Sequence, residues 1–114
     1  MADLKCPIEQ AVTIKYVVTN DISKGEFLHI NGLVGFSIRS YKAGEEGVFV
    51  VYAPDVEVDV ENGNYNAGES LYIDNANYLL PLNKTSAGRT KIAKVKHPGS
   101  GTRIRAIFTG TLNT

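Results

Sequence analysis

Apolar positions along this chain recur at every second residue over most of its length, the period of a strand with one face in a core. Val12, Ile14, Tyr16 and Val18 share one face of the first such run, and Thr13 and Lys15 take the other. Glu26–Ile30 and Leu33–Arg39 follow, separated by Asn31-Gly32. A tight two-residue turn needs positive φ at both positions, which Asn and Gly accept with least strain, so this stretch predicts a hairpin. Gly35, inside its second strand, predicts a bulge or a close approach of another backbone.

From Lys42 to Val60 the pattern changes twice. Ala43-Gly44-Glu45 is turn chemistry, and Val48–Ala53 is apolar throughout. A short continuous apolar run predicts a central strand covered on both faces. Pro54 has no N–H to give to a ladder, so pairing is expected to end there or lie at an edge. Beyond it Val56, Val58 and Val60 alternate with Glu57 and Asp59, which places the acids in water. Glu61–Asn66 is polar, contains Gly63 and reads as a surface loop. The turn sequence returns at Ala67-Gly68-Glu69, ahead of Ser70–Ile73. That run and Tyr78–Leu80 are expected to form a second hairpin around Asp74–Asn77. In Thr90–Lys96, Ile92 and Val95 fall out of phase and predict a bulge. His97–Gly101 reads as a turn, and Thr102–Thr109 as the last strand, with Ile104, Ala106 and Phe108 on one face and Arg103, Arg105 and Ile107 on the other.

No window carries an apolar stripe at helical spacing over three turns. The expectation is therefore all-β: a small single-domain barrel or sandwich of about nine short strands over residues 12–114. Residues 1–11, mixed in character and containing Pro7, are expected to form an N-terminal arm.

Composition narrows the function. The formal net charge is +0, so the molecule as a whole exerts no pull on nucleic acid or acidic membranes. A lone cysteine, Cys6, cannot close an internal disulfide, and the fold does not depend on an oxidising compartment. No apolar run approaches the roughly 20 residues of a membrane-spanning helix, and the first residues hold no signal-like apolar core, so cytoplasmic synthesis is expected.

Candidate chemistry is sparse. His29 and His97 are far apart and neither has a Cys, His or carboxylate at ligand spacing. Glu45, Glu46, Glu57, Asp59 and Glu61 lack the contrast of environments that acid–base work requires, and the alternation puts Glu57 and Asp59 in solvent. The glycine-rich pieces match no phosphate-binding spacing. A non-enzymatic protein with no cofactor and no metal is expected. Two features point instead to protein contact. Lys84, Arg89, Lys91, Lys94, Lys96, Arg103 and Arg105 form a basic strip suited to an acidic protein surface. Tyr65, Tyr72 and Tyr78 cluster in sequence, and tyrosine is favoured at interfaces.

The order of the motifs resembles the family of small tailed-phage head proteins, first catalogued as a domain of unknown function, that serve as capsid cement or decoration. The resemblance runs from about Thr19 to the end. It rests on Gly32–Gly35, on Ala43-Gly44-Glu45 with Val48–Val51, and on Ala67–Ile73. It continues through Leu80-Pro81, Gly88–Val95 and Arg103–Ile107. It implies a capsid decoration protein that binds the outer surface of an assembled head, bridges major capsid protein subunits and forms a homo-oligomer, often a trimer. It also implies a place on the virion exterior after assembly in the host cytoplasm. Contact residues are expected at Leu4, Pro7 and Ile8 in the arm, at Tyr65, Tyr72 and Tyr78, and at Arg103 and Arg105. Two other readings are a different virion part (a head fibre base or tail protein) and a small carbohydrate-binding β module. The second is weakened by the lack of Trp.

Overall fold

The protein is seen here as a computed structural model that describes residues 1–111; the last three residues of the expected β domain, 112–114, lie outside the described residues. Its eight strands are β1 (Ala2–Leu4), β2 (Val12–Val17), β3 (Phe27–Ile30), β4 (Leu33–Ser37), β5 (Glu46–Tyr65), β6 (Ser70–Asp74), β7 (Arg89–Val95) and β8 (Gly99–Phe108). The fold is all-β, as expected. The strands join in one sheet with the order β3-β4-β5-β8-β7-β6, and β1 and β2 both pair with β5. Every ladder is antiparallel. The sheet is open at its ends, so of the two expected shapes the closed barrel does not form.

β5 is the axis of the molecule, and it corrects the sequence reading. Two strands and a loop were expected between Val48 and Asn66; one strand of 20 residues runs through them. Its first part pairs with β2 and β4, its second with β1 and β8. Pro54 does not stop the pairing. It lies in the register shift between Ala53 and Val56 against β8, where the ladder is already interrupted and a missing N–H is tolerated. The polar stretch expected to loop out continues as strand, with Gly63 opposite Gly101 and Tyr65 opposite Gly99. Gly99–Gly101 therefore belong to β8, and the expected turn shrinks to the residues before them.

The expected second hairpin also fails. β6 pairs with β7, and Tyr78–Leu80 form part of a turn. Three apolar residues are too few for periodicity to separate a strand from a loop. The bulge expected near Ile92 is present: Leu71 faces Ala93 while Tyr72 faces Lys91. The extra residue lets the neighbours Ile92 and Ala93 both turn inward.

The core lies on both faces of β5. Phe49 packs with Val18, Ile22, Ile30 and Tyr41 on one side, and Val50 joins the larger cluster on the other. Phe49, Val50 and Val51 are all buried, as the apolar run predicts. In the larger cluster Phe36 contacts Phe108 edge-on at 5.1 Å, and Phe27 lies 5.9 Å from Phe108. The Asn31-Gly32 hairpin forms with φ of 48° and 86°. Gly35 is a close-approach site: a Cβ there would stand 3.0 Å from the Val50 carbonyl oxygen.

One turn design opens three strands. In Ser23–Glu26, Lys42–Glu45 and Asn66–Glu69 the fourth N–H donates to the first carbonyl. Glycine with positive φ holds the third place in each. The glycine N–H then donates to a carbonyl in or just past a neighbouring strand, at Ser37, Val18 and Val95 respectively, and that same residue's N–H donates back to the glutamate carbonyl. In the two Ala-Gly-Glu turns the glutamate carboxylate also accepts the first residue's N–H, at 2.6 Å in Lys42 and 2.5 Å in Asn66. The glutamate is thus a local clamp on its own turn.

The N-terminal arm needs correction too. Ala2–Leu4 is a strand in register with Val58–Val56, and Ala2 is buried in the main core. Its N–H donates to the Gly25 carbonyl at 2.9 Å. Gly25 has φ +84°, and a Cβ there would lie 2.5 Å from the Ala2 carbonyl oxygen. Gly68 has φ +89° and open space around it. Gly68→Ala should therefore cost only backbone strain, about 1–2 kcal/mol. Gly25→Ala should cost about 1–3 kcal/mol more, because it also overlaps β1. Urea unfolding measures both, and hydrogen exchange should accelerate at Asp3 in the Gly25 variant alone. Equal losses in the two variants would contradict this account of how β1 is seated.

Candidate interaction surfaces

Register decides what the charged residues do. β8 lies beside β5 with Arg103 opposite Asp59 and Arg105 opposite Glu57, while β1 on the other side places Asp3 opposite Glu57. Arg103 reaches three carboxylates: Asp3 at 2.8 Å, Asp59 at 3.0 Å and Glu57 at 3.1 Å. Arg105 grips both oxygens of Asp55, with Nε at 2.8 Å from Oδ1, and Lys96 lies 3.6 Å from the same carboxylate. Hydrogen bonding from Arg105 holds the Asp55 carboxyl below its ordinary range, against the opposing effect of its burial. Asp55 in turn raises the Arg105 guanidinium. Glu57 and Asp59 face outward as the alternation predicts, but they are members of a cross-strand network.

The network breaks up the expected basic strip. Arg103 and Arg105 are matched by acids from β1 and β5. Lys84 lies 3.6 Å from Glu69 and 5.0 Å above the Tyr65 ring, and donates to the Asn64 carbonyl. Lys94 stands opposite Ile107, two residues along β8 from Arg105, and forms no ion pair among the described residues. The three tyrosines do not form one surface either. Tyr65 is a core residue whose hydroxyl donates to the Glu61 carbonyl, and burial, then Glu61 and Glu69, raise its pKa. Tyr72 lies half-buried on β6. Tyr78 is half-buried against the main core, and burial raises it as well.

The arm residues do come together. Leu4 and Ile8 line a groove of about 630 Å³ with Ala2, Asp3, Lys5, Lys24 and the β4 end Phe36–Ile38. Pro7 is exposed, and it precedes the single 3-10 turn Ile8–Gln10. Ile8 is 44% exposed.

A second surface was not anticipated. Leu79 and Leu80 are 64% and 44% exposed, and Pro81 beside them is exposed. The loop that carries them is fixed by its own side chains. Asp74 Oδ1 accepts the N–H groups of Ala76 and Asn77, and Asn77 Oδ1 accepts that of Leu79. Leu82 is buried and bonds both ways to β5: its N–H donates to Asp59, and its carbonyl accepts from Glu61. Asn83 and Tyr72 exchange backbone bonds at 2.8 and 3.0 Å. A rigid frame thus holds an apolar tip in water, where it loses little entropy on meeting a partner. The available signal in the sequence was the uncharged run Asn75–Asn83.

Among the described residues no group of three metal-ligating side chains converges. Compared with known proteins, no family model matches the chain and no curated protein matches its sequence.

The Asp55 cluster gives a pH dependence. A carboxyl with a lowered folded pKa adds stability above the unfolded carboxylate range, near pH ~4, and loses it as pH falls through the folded value. Asp55→Asn should therefore lower the urea midpoint at pH 7, and its gap to the wild type should narrow below about pH 4. A gap unchanged down to about pH 2 would show that the pair contributes nothing through its charge.

Proposed function

We propose that the protein is a structural component of a tailed-phage head, a decoration protein that binds the outer surface of the assembled shell and bridges major capsid protein subunits. One observation carries the reading: the apolar tip Leu79-Leu80-Pro81, exposed and framed by the side-chain bonds of Asp74 and Asn77 and the backbone bonds of Leu82 and Asn83. Exposed apolar residues on a fixed frame are what a protein-docking surface needs. Support also comes from the motifs behind the resemblance. Ala43-Gly44-Glu45 and Ala67-Gly68-Glu69 are two copies of one strand-opening turn, so the resemblance rests partly on positions with a defined structural task.

In this reading each copy buries its tip against subunits that lie adjacent only in the assembled shell. It binds that shell better than free subunits and stabilises it by the difference. A trimer would hold three neighbours at once and gain by effective concentration. Partner choice sits in the apolar surfaces, because Arg103 and Arg105 are already neutralised within the molecule.

Mixed with undecorated heads at micromolar concentration and sedimented, the protein should pellet with them. The double variant Leu79→Asp, Leu80→Asp should bind at least about tenfold more weakly while unfolding at the wild-type urea midpoint, since neither side chain is in the core. No co-sedimentation of the wild type would refute the reading. Immunolabelling of the tail in place of the head would move the protein to another part of the virion.

A further inference from the structure

The geometry points to a second binding site, separate from the Leu79–Pro81 tip: the groove beside β1 takes an extended segment of another polypeptide, apolar at its centre and flanked by carboxylates. Three features argue for this occupant. The first is apolar lining: Leu4, Ile8, Phe36 and Ile38 all contribute to the groove. The second is charge. Lys5 and Lys24 also line it, both exposed, and neither forms an ion pair among the described residues. Against these two lysines the lining carries one acid, Asp3, whose carboxylate is also held by Arg103 at 2.8 Å. The groove is therefore net cationic and suited to an acidic partner.

The third is backbone. Lys5 donates its N–H to Asp55, and Asp59 donates to the Met1 carbonyl, so the odd-numbered residues of β1 turn their polar groups toward β5. Ala2 and Leu4 then direct theirs outward. The Ala2 N–H is taken by Gly25. Among the described residues no backbone group bonds the outward N–H and C=O of Leu4, and a segment laid along β1 pairs with them by strand addition. The spacing agrees with this arrangement. Lys24 adjoins Gly25 at the Ala2 end and Lys5 lies past the other end, three residues on, or roughly 10 Å of extended chain. Carboxylates three to five residues apart on an incoming strand would reach both.

Fluorescently labelled acetyl-Glu-Val-Ile-Val-Glu-amide, titrated with the full chain, should bind, and adding salt should weaken it. The Lys-flanked peptide of the same centre should bind at least tenfold more weakly. Lys5→Glu with Lys24→Glu should reverse that preference; both side chains are exposed, so the double variant should fold, and its urea midpoint checks this. Amide shifts in the wild type should centre on Leu4, Ile8 and Ile38. Absence of binding up to millimolar peptide overturns the proposal. So does equal binding of the two peptides, an unaltered preference in the double variant, or binding of anionic vesicles with none of the peptide. Because the test uses peptide and not heads, its failure leaves capsid binding through Leu79 and Leu80 standing, and the reverse also holds.

Discussion

The whole structure depends on keeping a 20-residue strand hydrogen-bonded along its length. A buried backbone must find partners for each N–H and C=O, and β5 is too long for any one neighbour to supply them. Four strands share the task, β2 and β4 on the first part, β1 and β8 on the second. Where β1 stops, Leu82 takes over from the loop before β7 by bonding to Asp59 and Glu61. That handover explains why Leu82 is buried while Leu79 and Leu80 stay in water. The buried leucine anchors the loop to β5, and the exposed pair is carried on the anchored frame.

The strand-opening turns solve a related difficulty. A chain entering a sheet at a sharp angle leaves polar backbone groups near the core. In all three turns of the shared design, the glycine N–H and the glutamate carbonyl bond to one residue in or just past an adjacent strand. Ser37, Val18 and Val95 are each buried. The turn is thus fastened at its base, and positive φ at the glycine makes the fastening possible. The Glu45 and Glu69 carboxylates bond inside these turns, which accounts for an acidic residue beside a glycine without any ligand to attract.

What could be read from the sequence follows from how local each signal is. The Asn31-Gly32 hairpin, the double cover over Val48–Ala53, the phase of Ile104, Ala106 and Phe108, and the bulge near Ile92 each depend on residues within one window. The continuity of β5 through Pro54 does not. A proline announces that a ladder bond is missing, but only the partner strand determines whether the gap becomes an end or a register shift. Ala2–Leu4 was hidden because three residues give no measurable period. The arginines were seen as a strip because the register that sets Arg103 among Asp3, Glu57 and Asp59 joins residues from opposite ends of the chain. The exposure of Leu79 and Leu80 has no local signal for a simpler reason: apolar residues in an alternating pattern point to strand or core.

The same register explains why the two candidate surfaces differ in character from the rest of the molecule. Arg103, Arg105, Lys96 and the N-terminal ammonium face the four acids Asp3, Asp55, Glu57 and Asp59, which balances the charge on the outward face of the second part of β5. A neutralised, solvated face carries little attraction for a partner and also discourages edge-to-edge association. With that face balanced, the two candidate sites stand out by their local chemistry. At the Leu79–Pro81 tip the imbalance is apolar surface in water. At the β1 groove it is apolar surface together with two uncompensated lysines. The two sites share β5 as their support, since β1 pairs with it at Val56–Val58 and Leu82 bonds to it at Asp59 and Glu61. A contact at either site therefore bears on a strand bonded from both sides.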